Sequence, residues 1–352
     1  MFFLVENGKG RPCEQASGPW LEAAPRGAYT TARTVGGSSV LELSFHIQRL
    51  ATSAGLMMEA AAGAASAPAA AAAAADVARL RPRVLAAMQA AVRGYRAASG
   101  DADGEVRLTV LVTWQACQAQ DGQQEAAPPV AGAGAGNHGS SAAASPAGGA
   151  GEEGAFDVLV HVSALPPRPA PPVRVVMRGA PRHNAEAKDS EWVRQRRGLL
   201  HGLPPGVEEV LLVGEGGALL EGLSSNFFAV ARGAVHTAGE GILAGTVREV
   251  VLAVARREGI PVVLEPPRLA DLEAWDGCFI TSTSRLLLPV DEAGVFPEGG
   301  SAASAAADAD ADGTGASRPL QRVRRFERGG LVQRLEALVL AELERRSEPL
   351  LG

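Results

Sequence analysis

The chain has 352 residues, of which 46% are hydrophobic, and a formal net charge of −6. That length suits two domains with a sizeable core, and the acidic balance excludes broad nucleic-acid binding, which needs basic patches. Cys13, Cys117 and Cys278 give neither a disulfide framework nor metal-ligand spacing, and no apolar run reaches membrane-spanning length. A soluble protein of a reducing compartment such as the cytoplasm is therefore expected.

In chain order, MFFLVE reads as a first strand rather than a leader, since the apolar run is brief and ends in Glu6. Apolar spacing predicts a helix over 44–58 and another over 82–98, where Val84, Leu85, Met88, Val92 and Tyr95 recur at helical intervals and Pro82 suits a first turn. Residues 60–75 between them are almost pure alanine, which either extends a helix or stays out of the core. VRLTVLVTW (106–114) and FDVLVHVSAL (156–165) read as a hairpin whose connection is inflated by a low-complexity insertion over 118–155. PPRPAPP (166–172) is a stiff linker. It separates an N-terminal α/β domain, 1–165, from a larger C-terminal domain, 173–352.

That second half is predicted to hold a strand over 173–178 and a helix near 189–200, then antiparallel strands over 207–213, 218–230 and 234–238. A helix over 247–258 follows, opened by a capping box of Thr246 and Glu249 and stopped by Gly259. A strand over 261–265, a short helix near 268–274, strands over 277–282 and 286–290, and a last helix over 329–346 complete it. Residues 293–318 read as a disordered insertion. Within them Asp308, Asp310, Asp312 and Gly313 imitate a calcium loop, but Pro319 stands at the twelfth position where Glu is required. The fold class is mixed α/β.

Lys9 and Lys188 are the two lysines in a chain with 33 Lys plus Arg. Arginine holds its proton, whereas a lysine amine can lose it and act as a nucleophile. Lys9 sits in a turn-like ENGKG and reads as a solvated charge. Lys188, in PRHNAEAKDSEWV, is the candidate for a Schiff base with a carbonyl cofactor. Glu221 interrupts the apolar run ALLEGLSSNFFAV, where a buried carboxylate needs a partner. One partner is a protonated pyridine nitrogen, the stronger electron sink; an outward, sheet-edge position also fits. Ser224, Ser225 and Asn226 follow with hydroxyl and amide groups.

GILAGT leads into Thr246 and a helix start, whose free N–H groups can hold a phosphate, although such starts also cap helices that bind nothing. TSTS (281–284) offers further donors or a plain turn. His46 and Arg49 share one helix face, and Arg49 can fork onto a phosphate or lie in solvent. Tyr29 stands among three threonines.

Taken together and in this order, GAYTTARTVGGSSVLELSFHIQRL, EAKDSEWV, EGLSSNFFAV, GILAGTVREVVLAVARREGI and FITSTSRLLLPV resemble the blocks of the class IV pyridoxal-phosphate aminotransferases. That family includes the D-amino acid and branched-chain aminotransferases and the aminodeoxychorismate lyases. The resemblance implies a two-domain fold-type IV architecture with pyridoxal 5'-phosphate between the domains, usually in a homodimer. It makes Lys188 the Schiff-base and proton-shuttling residue and Glu221 the partner of the pyridine nitrogen. Arg49, the backbone at Thr246 and Val247, and the Ser282–Thr283 pair are implied to hold the phosphate. Tyr29 would line the substrate side, with Ser225 and Asn226 near the ring.

Residues 115–155 contain no Arg or Lys and a single His138, so the carboxylate clamp of the D-amino acid enzymes has no counterpart there. The resemblance implies an aminotransferase acting on an amino donor and a keto-acid acceptor. 4-Amino-4-deoxychorismate lyase is the first alternative, and a non-catalytic relative that kept the fold is the second.

Overall fold

The computed structural model describes residues 1–61, 69–114, 156–296 and 320–351. The 118–155 insertion and the calcium-like run lie outside them. The first sheet contains β1 (Phe2–Glu6), β2 (Lys9–Cys13), β3 (Ala28–Val35), β4 (Ser39–Leu41), β5 (Val106–Thr113), β6 (Asp157–Ala164) and a last strand, β17 (Ser347–Pro349). It is antiparallel throughout, in the order β17-β4-β3-β5-β6-β1-β2.

The second sheet is mixed. It holds β7 (Arg174–Met177), β8 (Val207–Val213), β9 (Leu219–Gly222), β10 (Asn226–Ala231), β11 (Ala234–His236), β12 (Val262–Val263), β13 (Gly277–Ser282), β14 (Leu286–Val290), β15 (Glu292–Val295) and β16 (Arg322–Arg325). The helices are α1 (Ser17–Ala23), α2 (Leu43–Ala61), α3 (Ala69–Ala75), α4 (Val77–Ser99), α5 (Glu191–Gln195), α6 (Thr246–Arg257) and α7 (Gly330–Ala341).

Both sheets bury two faces over their central strands, which are nearly continuous apolar runs whose alternate residues enter different cores. In β5, Val110 and Val112 pack with α2, α3 and α4, while Leu111 faces Trp20, Tyr29 and Val193. In β10, Phe228 and Val230 lie under α6 and α7, while Phe227 and Ala229 join Ile280 and Trp275 opposite. Phe228 stacks on Phe279 at 4.6 Å between ring centroids.

Several elements differ from the sequence-based expectation. The second long helix begins at Val77, not Pro82, because the Asp76 side chain caps it by accepting from Ala78 N at 2.9 Å; Pro82 therefore sits in its second turn. Alanines of the 60–75 run are core residues: Ala71, Ala73 and Ala74 are buried in α3, where small side chains let it approach α2 and α4. The single strand expected over 218–230 is a hairpin, in which Glu221 pairs with Asn226 and Gly222 N donates to Ser225 O at 2.8 Å.

Residues 293–295 belong to β15, held by parallel pairing with β7, so the insertion starts later than composition implied. The C-terminal span 173–352 is not confined to the second sheet either. β17 crosses back to pair with β4, and Glu348 accepts from Ser44 N and Oγ at 2.6 Å. No helix among the described residues is long and apolar enough to cross a membrane.

Removing the α4 cap by Asp76→Ala is expected to cost about 1 kcal/mol. It should appear as a lower urea midpoint with an unchanged slope.

Candidate active site

A cavity of about 430 Å³ opens where the two sheets meet. It is lined by Tyr29 from β3, Arg49 from α2, Lys188 from the loop before α5, Glu221 from β9, Ser225 from the β9–β10 turn and Asn226 from the start of β10. Thr246 and Val247 enter from the start of α6, and Ser282 and Thr283 from the end of β13. The ten residues to which the resemblance gives a role thus share one chamber. Lys9, by contrast, is exposed on β2.

Lys188 is placed by backbone. Tyr29 N donates to Lys188 O at 2.9 Å, Lys188 N donates to Ser53 Oγ at 2.9 Å, and Ser190 N donates to Gly27 O at 2.9 Å. Arg26 and Asp189 close the clamp as a 2.7 Å ion pair. Gly27 is required there: a Cβ would stand 2.2 Å from Val112 O. The Lys188 amine lies 4.7 Å from the centroid of the Tyr29 ring. Burial, then the positive charges of Arg49, Arg182 and Arg196, hold it well below the usual lysine range, opposed by Glu221. A larger share of the amine is therefore neutral and nucleophilic at a given pH.

Glu221 is buried, not at a sheet edge. Its Oε1 accepts from Arg182 Nε at 2.8 Å and its Oε2 from Leu243 N at 3.0 Å. Burial raises its pKa, opposed chiefly by Arg182. Arg182 also donates to the carbonyls of Ala185 and Ala187, the latter at 2.7 Å, and so ties Glu221 to the lysine loop.

A second group of chamber residues has the chemistry to meet an anion. Arg49 is 8% exposed, and burial pushes its pKa down to about 10. Among the described residues no carboxylate lies within ion-pairing distance of it. Its Nη2 donates to Thr30 Oγ1 at 2.6 Å, and its Nη1 donates to Ala244 O at 3.3 Å. Arg49 Nε, Thr246 Oγ1 and Thr281 Oγ1 are buried without a partner.

The expected capping box is absent. Gly245 is the N-cap of α6, so Thr246 occupies the first helical position and its hydroxyl is left over. A side chain at 245 would displace Asn226, because a Cβ would lie 1.8 Å from Asn226 Oδ1. A buried arginine with a spare donor, two unspent hydroxyls and a helix start with free N–H groups fit a phosphate group.

Two expected contacts are used otherwise. Ser225 Oγ donates to Glu209 Oε2 at 2.9 Å rather than into the chamber, and Ser282 Oγ accepts from Arg285 Nε at 3.1 Å. Asn226 Nδ2 donates to Leu243 O at 2.8 Å, fixing the turn before α6. Glu209, which the sequence reading overlooked, is a buried carboxylate. Arg285 at 2.7 Å, Ser224 and Ser225 keep its pKa below the ordinary value against the cost of burial.

Arg182, Arg196, Arg107 and Arg285 also line the chamber without having been expected there. In so arginine-rich a chain nothing local marks them, although Arg182, six residues before Lys188, shares its loop. Arg107 and Arg196 form no ion pair with a carboxylate among the described residues.

This geometry agrees with what the chain is similar to. Residues 137–293 match the family model of amino-transferase class IV. An 89-residue stretch is 42% identical to a protein of Methanocaldococcus jannaschii provisionally named a branched-chain-amino-acid aminotransferase, covering 25% of this chain and 31% of that relative. Across 99% of both chains the fold matches the branched-chain aminotransferase of Thermoproteus uzoniensis solved with norvaline, at TM-score 0.61 and 17% identity. It also matches a pyridoxal-phosphate-bound hypothetical aminotransferase of Mycobacterium tuberculosis over 97% of this chain and 99% of that one, at TM-score 0.59 and 20% identity.

Two outcomes test the electrostatics. Arg182→Met strands a carboxylate that is 6% exposed; the expected loss is about 3–5 kcal/mol by urea unfolding, most of it recovered in Arg182→Met/Glu221→Met. Arg196→Met removes one positive neighbour of Lys188. The pH midpoint for trapping pyridoxal on Lys188 with borohydride in the apoprotein should then move upward; an unchanged midpoint would contradict the assigned cause.

Proposed function

We propose that the chain is a pyridoxal-phosphate-dependent aminotransferase that moves an amino group between an amino acid and a 2-oxo acid. One observation carries this reading: the depressed amine of Lys188 stands in a single chamber with a buried carboxylate, Glu221, and a phosphate-fitting cradle at Arg49 and Thr246. When bound, pyridoxal phosphate supplies an aldehyde carbon for amine exchange and a ring that takes up the electron pair left when the α-proton departs.

The chain's own residues do the rest. Arg49, the Thr246 hydroxyl, the N–H groups of Thr246 and Val247, and the Ser282–Thr283 turn hold the phosphate. Glu221, anchored by Arg182, would pair with the ring nitrogen and favour its protonated form. Lys188 Nζ takes the α-proton and returns it, with the Tyr29 ring limiting its swing. Asn226 fixes the turn before α6 that would carry the phosphate, and Ser225 holds Glu209 beside Arg285. Arg107 and Arg196 remain to meet the substrate carboxylate.

The active unit is proposed to be a homodimer, as the family resemblance implies, and its location the cytoplasm, consistent with free Cys13 and Cys278. No described contact favours lyase chemistry over transamination.

The purified protein loaded with pyridoxal phosphate is expected to be yellow, to lose its near-visible band on borohydride reduction, and to carry the label on Lys188. Lys188→Ala should abolish the label and lower kcat at least about a thousandfold, since nucleophile and proton carrier are lost together. Keto-acid formation from a panel of amino donors tests the transfer itself. Release of pyruvate and 4-aminobenzoate from 4-amino-4-deoxychorismate, without keto-acid formation, would identify the lyase instead.

A further inference from the structure

His46 lies on α2 one turn before Arg49, is 1% exposed, and does not line the chamber. Its Nδ1 is 2.7 Å from Thr30 Oγ1 and 3.2 Å from Arg49 Nη2. Arg49 can only donate, so Nδ1 must accept, which assigns the tautomer with the proton on Nε2. Thr30 Oγ1 accepts from Arg49 Nη2 and passes its own proton toward Nδ1.

The remaining Nε2–H is buried without a partner. A leucine would fill that volume without an unsatisfied donor, so packing alone does not account for histidine here. Burial and the neighbouring charges of Arg49 and Lys188 hold the ring well below the usual histidine range. It is therefore a neutral, permanent acceptor beside a cation.

We propose that His46 is a positioning residue for the phosphate end of the site. Through Thr30, which is 0% exposed, it fixes the rotation of the Arg49 guanidinium so that the unspent edge of Arg49 addresses the anion. The sequence placed His46 and Arg49 on one helix face, but Thr30 comes from β3, and only the packing of α2 on that strand completes the relay. The inference rests on the reading of Arg49 as a phosphate holder and deepens it. A guanidinium held on two edges loses little freedom on binding, whereas an unheld one must be ordered by the ligand.

The experiment measures dissociation constants of the apoprotein for pyridoxal phosphate and for pyridoxal, which lacks the phosphate, by fluorescence titration. The ratio of the two isolates the phosphate's contribution. His46→Leu should shrink that ratio about tenfold while leaving pyridoxal affinity nearly unchanged. His46→Asn, whose Oδ1 can take the place of Nδ1, should restore it to within about threefold.

In Arg49→Met the ratio should collapse, and adding His46→Leu to that variant should change nothing further. Thr30→Val breaks the relay from the strand side and should match His46→Leu, which keeps the test open if the leucine variant does not fold. Equal weakening toward both ligands, or full additivity with Arg49→Met, would overturn the positioning role. An unchanged ratio in Arg49→Met would instead overturn the phosphate assignment of Arg49 itself.

Discussion

The structure depends on a short backbone clamp between residues 26–29 and 188–190. Two strands of sequence more than 150 residues apart are joined there by reciprocal hydrogen bonds, Tyr29 N to Lys188 O and Ser190 N to Gly27 O, and by the Arg26–Asp189 ion pair. The clamp stitches the lysine loop, which precedes α5, onto the start of β3 in the first sheet. It admits only glycine at 27 because the β5 carbonyl comes so close. A second tie, from Lys188 N to Ser53 Oγ at 2.9 Å, holds the same loop against α2.

Around that fixed amine the charges are unevenly distributed. Arg49, Arg182 and Arg196 all act on Lys188, and Glu221 alone opposes them. Two of the chamber's arginines are neutralised by buried carboxylates, Arg182 by Glu221 and Arg285 by Glu209. Those pairs act as struts: one ties β9 to the lysine loop, and the other ties β8 to the turn after β13. Arg49, Arg107 and Arg196 keep their charge available. A low-dielectric chamber with surplus positive charge favours anionic ligands and a neutral amine together, the combination that a phosphate-bearing carbonyl cofactor requires.

Much of this was legible in the sequence. The rarity of lysine pointed to Lys188, the carboxylate within an apolar run to Glu221, and the glycine-led helix start to Thr246. What failed were readings that needed a boundary placed to one residue. Thr246 passed for a cap, but the cap is Gly245, and that shift turns its hydroxyl from a spent group into a spare one. The run 218–230 passed for one strand, because a three-residue turn within apolar sequence leaves no mark in its periodicity. Ser225 was placed at the ring, yet a glutamate sixteen residues earlier claims its hydroxyl.

The sequence by itself determined the element types, the apolar faces and the chemical kinds of residue at the centre, because these follow from spacing along the chain and from side-chain chemistry. The tertiary structure alone decided which arginine faces which carboxylate, how far the Lys188 amine is depressed, and that Thr30 stands between His46 and Arg49. The reason is physical. Desolvation and Coulomb energies depend on distances of a few ångströms between segments remote in sequence, and no local pattern encodes those distances.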